Sequence, residues 1–365
     1  MSATDVLQLL AGFAVLVAGG EVLVRGASGV ARRIGLSPLV VGLTVVSFAT
    51  SAPELAVTLD AAASGSPGLA VGNVVGSNIA NVLLVLGISA LVTPMLVRSR
   101  VVRLDVPVMI AMSVAFFLLA LDGTVSTLDG ALLLGALVAY VVRSIVASRR
   151  TPHPRAALAG DEAEASPGPL WRNLLLVAAG VGLLVLGAGW LVGSATTLAI
   201  SLGISDLVIG LTVVAIGTSL PELATSIIAA VRGQRDLAVG NVVGSNIFNI
   251  GSVLGLTAVI TPGGVPVAES AIVFDLPFMV AVSVALLPVV FTGLAVARWE
   301  GAVFVAYYVA YTAYLFLDAT DHDALDRFSA VMTGFVVPLT VLTLGVVTIG
   351  EVRRRADRRV ASGGP

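Results

Sequence analysis

The chain has 365 residues, 57% of them hydrophobic and 12% charged, with a net charge of −2 and a mean hydropathy of +1.04. One soluble core cannot hide that much apolar side chain, so the composition selects a membrane protein. There is no cysteine, which excludes disulfides and thiolate metal sites, and the near-zero net charge carries no nucleic-acid signal.

A span needs about 20 mostly apolar residues, and windows of that length predict about eleven membrane helices. They fall near 6–30, 38–64, 69–95, 104–121, 127–147, 171–200, 207–231, 237–261, 272–292, 297–317 and 328–350. The runs are helical in length and lack the alternation of a transmembrane barrel, so the predicted fold class is all-α, a polytopic helical bundle. The first apolar run follows Met1 to Asp5 without a basic leader and reads as a span, not a signal peptide.

Every basic residue is arginine, and the arginines mark one side of the membrane. Arg25, Arg32 and Arg33 follow the first span, Arg98, Arg100 and Arg103 the third, and Arg143, Arg149, Arg150 and Arg155 the fifth. Arg172 opens the sixth, Arg232 and Arg235 follow the seventh, Arg298 the ninth, and Arg353, Arg354, Arg355, Arg358 and Arg359 fill the tail. If spans alternate, all lie on one face, and only Arg327 falls opposite, beside the acidic loop 318–326. By the positive-inside rule the N-terminus is outside, while the linker 148–170 and the tail are cytoplasmic, as in a prokaryotic plasma (inner) membrane. The linker is rich in Pro, Ala and Glu, the composition of a flexible connection.

An internal repeat decides the architecture. Val41 to Ala56 matches Ile209 to Ala224, and Leu69 to Ile79 recurs unchanged at Leu237 to Ile247, always 168 residues on. A weaker echo relates Leu104 to Pro107 with Phe274 to Pro277. Each copy holds five spans, an odd number, so the second enters the membrane from the other side: the halves are inverted. Inverted repeats with broken polar helices in matching places are the pattern of secondary transporters. The predicted organisation is a first repeat over 1–147, a linker over 148–170, a second repeat over 171–317, and an extra helix with a basic tail over 318–365.

Glu54 and Glu222 fall near the middle of apolar spans, where a charged side chain costs about 3 kcal/mol or more unless it is compensated. No lysine exists, and no arginine lies within a few turns in the same helices. A bound cation or a proton is the remaining compensation. Pro53 and Pro221 precede the glutamates and have no N–H for the carbonyls of Ala49 and Gly217, so the carbonyls of Thr50 and Thr218 can turn toward a ligand. One span later, Asn73, Ser77 and Asn81 recur every four residues as one polar stripe, as do Asn241, Ser245 and Asn249. Gly72, Gly76, Gly240 and Gly244 form small-residue ridges beside them. Oxygen donors without cysteine or histidine suit hard cations such as Ca²⁺ and Na⁺.

The segments Ala-Thr-Ser-Ala-Pro-Glu at 49–54, Gly-Thr-Ser-Leu-Pro-Glu at 217–222 and the two Gly-Asn-Val-Val-Gly-Ser-Asn stretches resemble the α-repeats of the sodium/calcium exchanger family. The resemblance covers the ten-helix core and not the eleventh span. It implies that Glu54 and Glu222, with carbonyls of Thr50 and Thr218, hold Ca²⁺. It further implies that Ser51, Ser77, Ser219 and Ser245, with carbonyls at Ser47 and Ala215, help form flanking Na⁺ sites, and that Asn81 and Asn249 line the centre. Several relatives carry aspartate at the place of Asn249. Here both central residues are amides, so the site has two formal charges, which argues against K⁺ co-transport.

The function expected is Ca²⁺/Na⁺ antiport by alternating access. Ca²⁺/H⁺ antiport and a passive channel are the competing readings. The bilayer, Ca²⁺ and Na⁺ are the expected partners, with no cofactor, nucleic acid, obligate protein partner or enzymatic site. Among the other polar residues, Glu21 is expected to pair with Arg25 one turn on, and Asp105 and Asp275 to serve as helix N-caps. Asp60, at the place Ile228 holds in the second copy, reads as a surface charge, and His153 and His322 as solvated loop residues.

Overall fold

The computed structural model describes residues 3–150, 168–201, 215–320 and 322–361. In chain order the first half comprises α1 (Ala3–Ile34), α2 (Pro38–Thr50), α3 (Ala52–Ala63), α4 (Pro67–Val92), α5 (Val101–Asp122) and α6 (Thr127–Arg150). The second comprises α7 (Leu170–Ser201), α8 (Ala215–Thr218), α9 (Leu220–Val231), α10 (Arg235–Ile260), α11 (Ala271–Phe291) and α12 (Arg298–Ala319), and α13 (Leu325–Arg354) follows. Among the described residues, nine helices are long and apolar enough to span a membrane, and the bent pair α2 and α3 makes a tenth. The predicted span 207–231 is represented by α8 and α9, and its first part lies outside the described residues, as does His153. The protein is an all-α polytopic membrane protein.

Contacts between the halves come in reciprocal pairs, as a two-fold relation requires. Asn78 donates its amide to the Met279 thioether (3.7 Å), and its counterpart Asn246 donates to Met109 (3.3 Å). Between them Ser113 and Ser283 meet hydroxyl to hydroxyl at 3.2 Å. Strand β1 (Met95–Leu96) pairs with β4 (Ala295–Val296), and β2 (Thr124–Val125) with β3 (Val265–Pro266), each joining one copy to the other. The outer helices cross at glycines: a Cβ on Gly301 would meet the Gly87 carbonyl at 2.6 Å, and one on Gly130 would meet the Gly255 carbonyl at 2.6 Å. Backbones this close require small residues, the device by which membrane helices pack without a hydrophobic drive between them.

Asp105 and Asp275 cap nothing, contrary to the sequence reading. Each has helical φ and ψ inside a continuous helix, because a wide π-type turn (Val101–Asp105, Ala271–Asp275) extends the helix upstream and accommodates the proline that mimics a start. Their carboxylates instead accept hydrogen bonds from Tyr140 and Tyr311, both at 3.0 Å, tying α5 to α6 and α11 to α12. The eleventh helix is peripheral. Nothing in the apolar window of α13 is buried, and Tyr307 reaches it by donating to the Thr340 hydroxyl at 2.6 Å.

Candidate cation site

The core of the site is a pair of broken helices. At Ser51 (φ −82°, ψ 5°) the chain leaves α2, re-enters as α3, and bends by 41°. Ser219 (φ −89°, ψ 1°) makes the same break between α8 and α9. Pro53 and Pro221 sit in the first turn after each break, where the missing N–H costs nothing. Glu54 and Glu222 share that turn, so each carboxylate stands near the positive end of a half-helix dipole.

Both glutamates are fully buried, at 0% exposure. Among the described residues, no carboxylate oxygen of either has a hydrogen-bond partner. The same holds for the amide groups of Asn81 and Asn249 and the hydroxyls of Ser51 and Ser219. Buried polar atoms are nearly always satisfied, so orphaned oxygens beside two buried carboxylates make these residues a candidate cation-binding donor set. Among the described residues no three acidic or histidine side chains cluster, so two carboxylates are joined by neutral amide, hydroxyl and carbonyl oxygens. That is the chemistry of a hard cation.

Packing crosses the copies here as well. The half-helix of Glu54 lies on the turn that begins at Asn249, and that of Glu222 on the turn that begins at Asn81. Both turns are π-type, Asn81–Val85 and Asn249–Leu254, a local widening common at functional sites. Ser77 and Ser245 are buried in the same two helices. The Thr50 hydroxyl lies 3.4 Å from that of Ser245, and both face the Glu222 carboxylate outside hydrogen-bond geometry. Ser47, also buried, donates to the carbonyls of Gly42 (2.7 Å) and Asn241 (3.1 Å). Thr218 is half-buried beside the Ser219 break, and Ala215 opens α8 at the edge of the described residues.

The sequence reading missed Thr58 and Ser226. Asn73 donates to the Glu54 carbonyl (3.1 Å) and the Thr58 hydroxyl (2.9 Å), and Asn241 to the Glu222 carbonyl (3.4 Å) and the Ser226 hydroxyl (3.0 Å). The available signal was a hydroxyl one turn after the glutamate in both copies. Glu21 does pair with Arg25 (2.6 Å), and it pairs with Arg232 of the other half too. Asp60 and His322 are exposed.

A fold of this kind, around buried carboxylates on broken, duplicated helices, defines a membrane ion transporter. The profile of the sodium/calcium exchanger protein family matches residues 4–146 and 172–317. The chain belongs to the sodium/calcium exchanger family, a family of cation/Ca²⁺ antiporters. It is 38% identical over 280 residues to the putative antiporter CaxA of Alkalimonas amylolytica, covering 76% of this chain and 87% of that protein. It is 35% identical over 350 residues to the sodium/calcium exchanger MaX1 of Methanosarcina acetivorans, covering 87% and 99%. Among solved structures it resembles the sodium-calcium exchanger NCX_Mj soaked without Na⁺ and Ca²⁺, with a TM-score of 0.73, 31% identity, and coverage of 86% of this chain and all of that one.

Proposed function

We propose that the protein exchanges Ca²⁺ for Na⁺ by alternating access, with Glu54 and Glu222 as the shared charged ligands. The observation that carries the reading is the pair of fully buried carboxylates whose oxygens have no hydrogen-bond partner among the described residues. Ca²⁺ neutralises both charges at once. Several Na⁺ ions compete for the same carboxylates, with carbonyls of Thr50, Thr218, Ser47 and Ala215 and hydroxyls of Ser51, Ser77, Ser219 and Ser245 supplying further oxygen. Asn81 and Asn249 line the centre. Because a loaded site is neutral or nearly so, it can be occluded in a low-dielectric interior, whereas the bare pair of anions cannot. This makes exchange obligatory.

Two features support Na⁺ over other counter-ions. Both central residues are amides, which provide no third charge for K⁺ or a proton to neutralise. The relatives MaX1 and NCX_Mj are themselves sodium/calcium exchangers by name. The repeats 1–147 and 171–317, joined by the linker 148–170, act as the two halves. The protein sits in the plasma (inner) membrane with its N-terminus outside and its linker and tail in the cytoplasm.

The test is ⁴⁵Ca²⁺ uptake into proteoliposomes loaded with Na⁺, K⁺ or acid. An outward Na⁺ gradient should drive uptake with K⁺ absent, and a pH gradient alone should drive little. Uptake that follows the pH gradient and ignores Na⁺ assigns Ca²⁺/H⁺ antiport instead. Uptake that needs no counter-ion assigns a channel.

A further inference from the structure

A broken helix has lost the rigidity of an intact span. Glu54 and Glu222 ride on half-helices α3 and α9, each joined to its upstream piece only through the break at Ser51 or Ser219. A rotation of the half-helix about its axis would swing the carboxylate away from the centre, and a metal site tolerates errors of only about 0.5 Å and 10–20°. Something must set that rotation.

One side chain in each copy is placed to do so. Asn73 on α4 grips α3 at two points one turn apart, the Glu54 carbonyl (3.1 Å) and the Thr58 hydroxyl (2.9 Å). Asn241 on α10 grips α9 the same way, at the Glu222 carbonyl (3.4 Å) and the Ser226 hydroxyl (3.0 Å). Both acceptors lie off the helix axis, on the face turned toward the asparagine, so holding them resists rotation of the half-helix about that axis. All three members of the device recur at the repeat spacing, and at the third the hydroxyl is kept while the residue changes from Thr to Ser. The amide orientation is determined by its partners, since a flipped Asn241 would aim its oxygen at the Glu222 carbonyl. The nitrogen donors therefore point at the protein, and neither residue offers a cation its nitrogen side.

Asn241 does one thing more. Its oxygen accepts a hydrogen bond from the Thr50 hydroxyl (3.1 Å), so one fully buried amide ties the Glu222 half-helix to the end of α2, just before the break that precedes Glu54. We infer that Asn73 and Asn241 are positioning residues that aim the two glutamates, and that Asn241, by holding both Glu222 and Thr50, sets the relation between the two halves of the site. The inference rests on the reading of Glu54 and Glu222 as the cation ligands.

The experiment compares wild type with Asn241→Leu, Asn73→Leu, Ser226→Ala and the double variant Asn241→Leu/Ser226→Ala. Two quantities are read: the KM and maximal rate of Na⁺-driven ⁴⁵Ca²⁺ uptake, normalised to inserted protein, and Ca²⁺ binding by calorimetry in detergent. Loss of a residue that orients a metal ligand costs about 10–100-fold in affinity. KM and the dissociation constant should rise by about that factor in Asn241→Leu, less in Asn73→Leu and least in Ser226→Ala, with a smaller change in maximal rate. The double variant should match Asn241→Leu alone, because both act through one contact. A role in packing alone would lower the yield of folded protein and leave the KM of the surviving molecules at the wild-type value, which overturns the inference. Should Asn241→Leu fail to fold, wild-type affinity in both Asn73→Leu and Ser226→Ala overturns it equally. If wild type shows no Na⁺-driven uptake, the Na⁺ coupling falls, and calorimetric Ca²⁺ affinity still decides the aiming role. If wild type binds no Ca²⁺, both readings fall.

Discussion

The turns that follow the two glutamate half-helices occupy equivalent places in the two copies and are built from opposite chemistry. After α3 the chain reads Ser64-Gly-Ser-Pro-Gly68, without a charge; after α9 it reads Arg232-Gly-Gln-Arg-Asp236. The second turn is tied down three ways: Arg232 pairs with Glu21, Gln234 accepts from Ser28, and Asp236 pairs with Arg98. The difference extends to the flanking helices. Position 189 of α7, which corresponds to Glu21 of α1, is a glycine, and it lines a cavity of about 170 Å³ together with Pro53, Thr218 and Pro221. Glu21 itself pairs with two arginines, Arg25 and Arg232. The lesson is that duplication has kept the chemistry of the centre alike while the two ends diverged. In the proposed function both halves supply a carboxylate to one ion, which constrains the centre, and no such demand falls on the two turns.

The strongest way to test the likeness of the centre is to spoil one half. Glu54→Gln or Glu222→Gln keeps the volume and removes half the formal charge. At about 4 Å and an effective dielectric of 20 one charge contributes about 4 kcal/mol per unit charge of the ion. Calcium affinity should fall by about a thousandfold or more, and ⁴⁵Ca²⁺ uptake in proteoliposomes should vanish for both variants while gel filtration shows folded protein. Substantial uptake by either would mean that the halves are not equivalent.

Asn249→Asp tests the neutral centre. A third carboxylate should introduce a dependence on K⁺ or pH beyond that of the unmodified protein, read as uptake at constant Na⁺ gradient with K⁺ or external pH varied. Unchanged coupling would place Asn249 outside the charge balance.

At the ends the effects should be smaller. Glu21→Gln removes pairs whose side chains are 25–53% exposed, and such pairs contribute about 1 kcal/mol or less. A slight fall in thermal stability is expected. Least of all should removing residues 151–167 matter: the segment is polar and lacks apolar periodicity, and uptake should be retained by correctly inserted protein.

Much of the centre was legible in the sequence because membrane burial is expensive for polar groups. Glu54, Glu222, Asn81 and Asn249 stood out against apolar spans, and their recurrence at one spacing joined them into one site before any distance was known. Asp105 and Asp275 misled for a related reason. A proline two residues after an aspartate is a sound local sign of a helix start, and only the π-type turn upstream, with Tyr140 and Tyr311 from a neighbouring helix, shows that the helix runs through it. Thr58 and Ser226 went unseen because a hydroxyl in a membrane helix ordinarily bonds its own backbone. Their role depends on an asparagine fifteen positions further on.

By itself the sequence determined the membrane environment, the helical fold class, the inverted duplication and the two buried carboxylates of the candidate site, since hydropathy, repeat spacing and the cost of buried charge are properties of the chain read along its length. Tertiary structure alone decided that the Glu54 half-helix rests on the turn of Asn249, that Asn241 reaches both Glu222 and Thr50, and that Arg232 closes on Glu21. Those contacts join residues far apart in sequence, and their geometry follows from helix crossing and rotation, which one-dimensional periodicity does not encode.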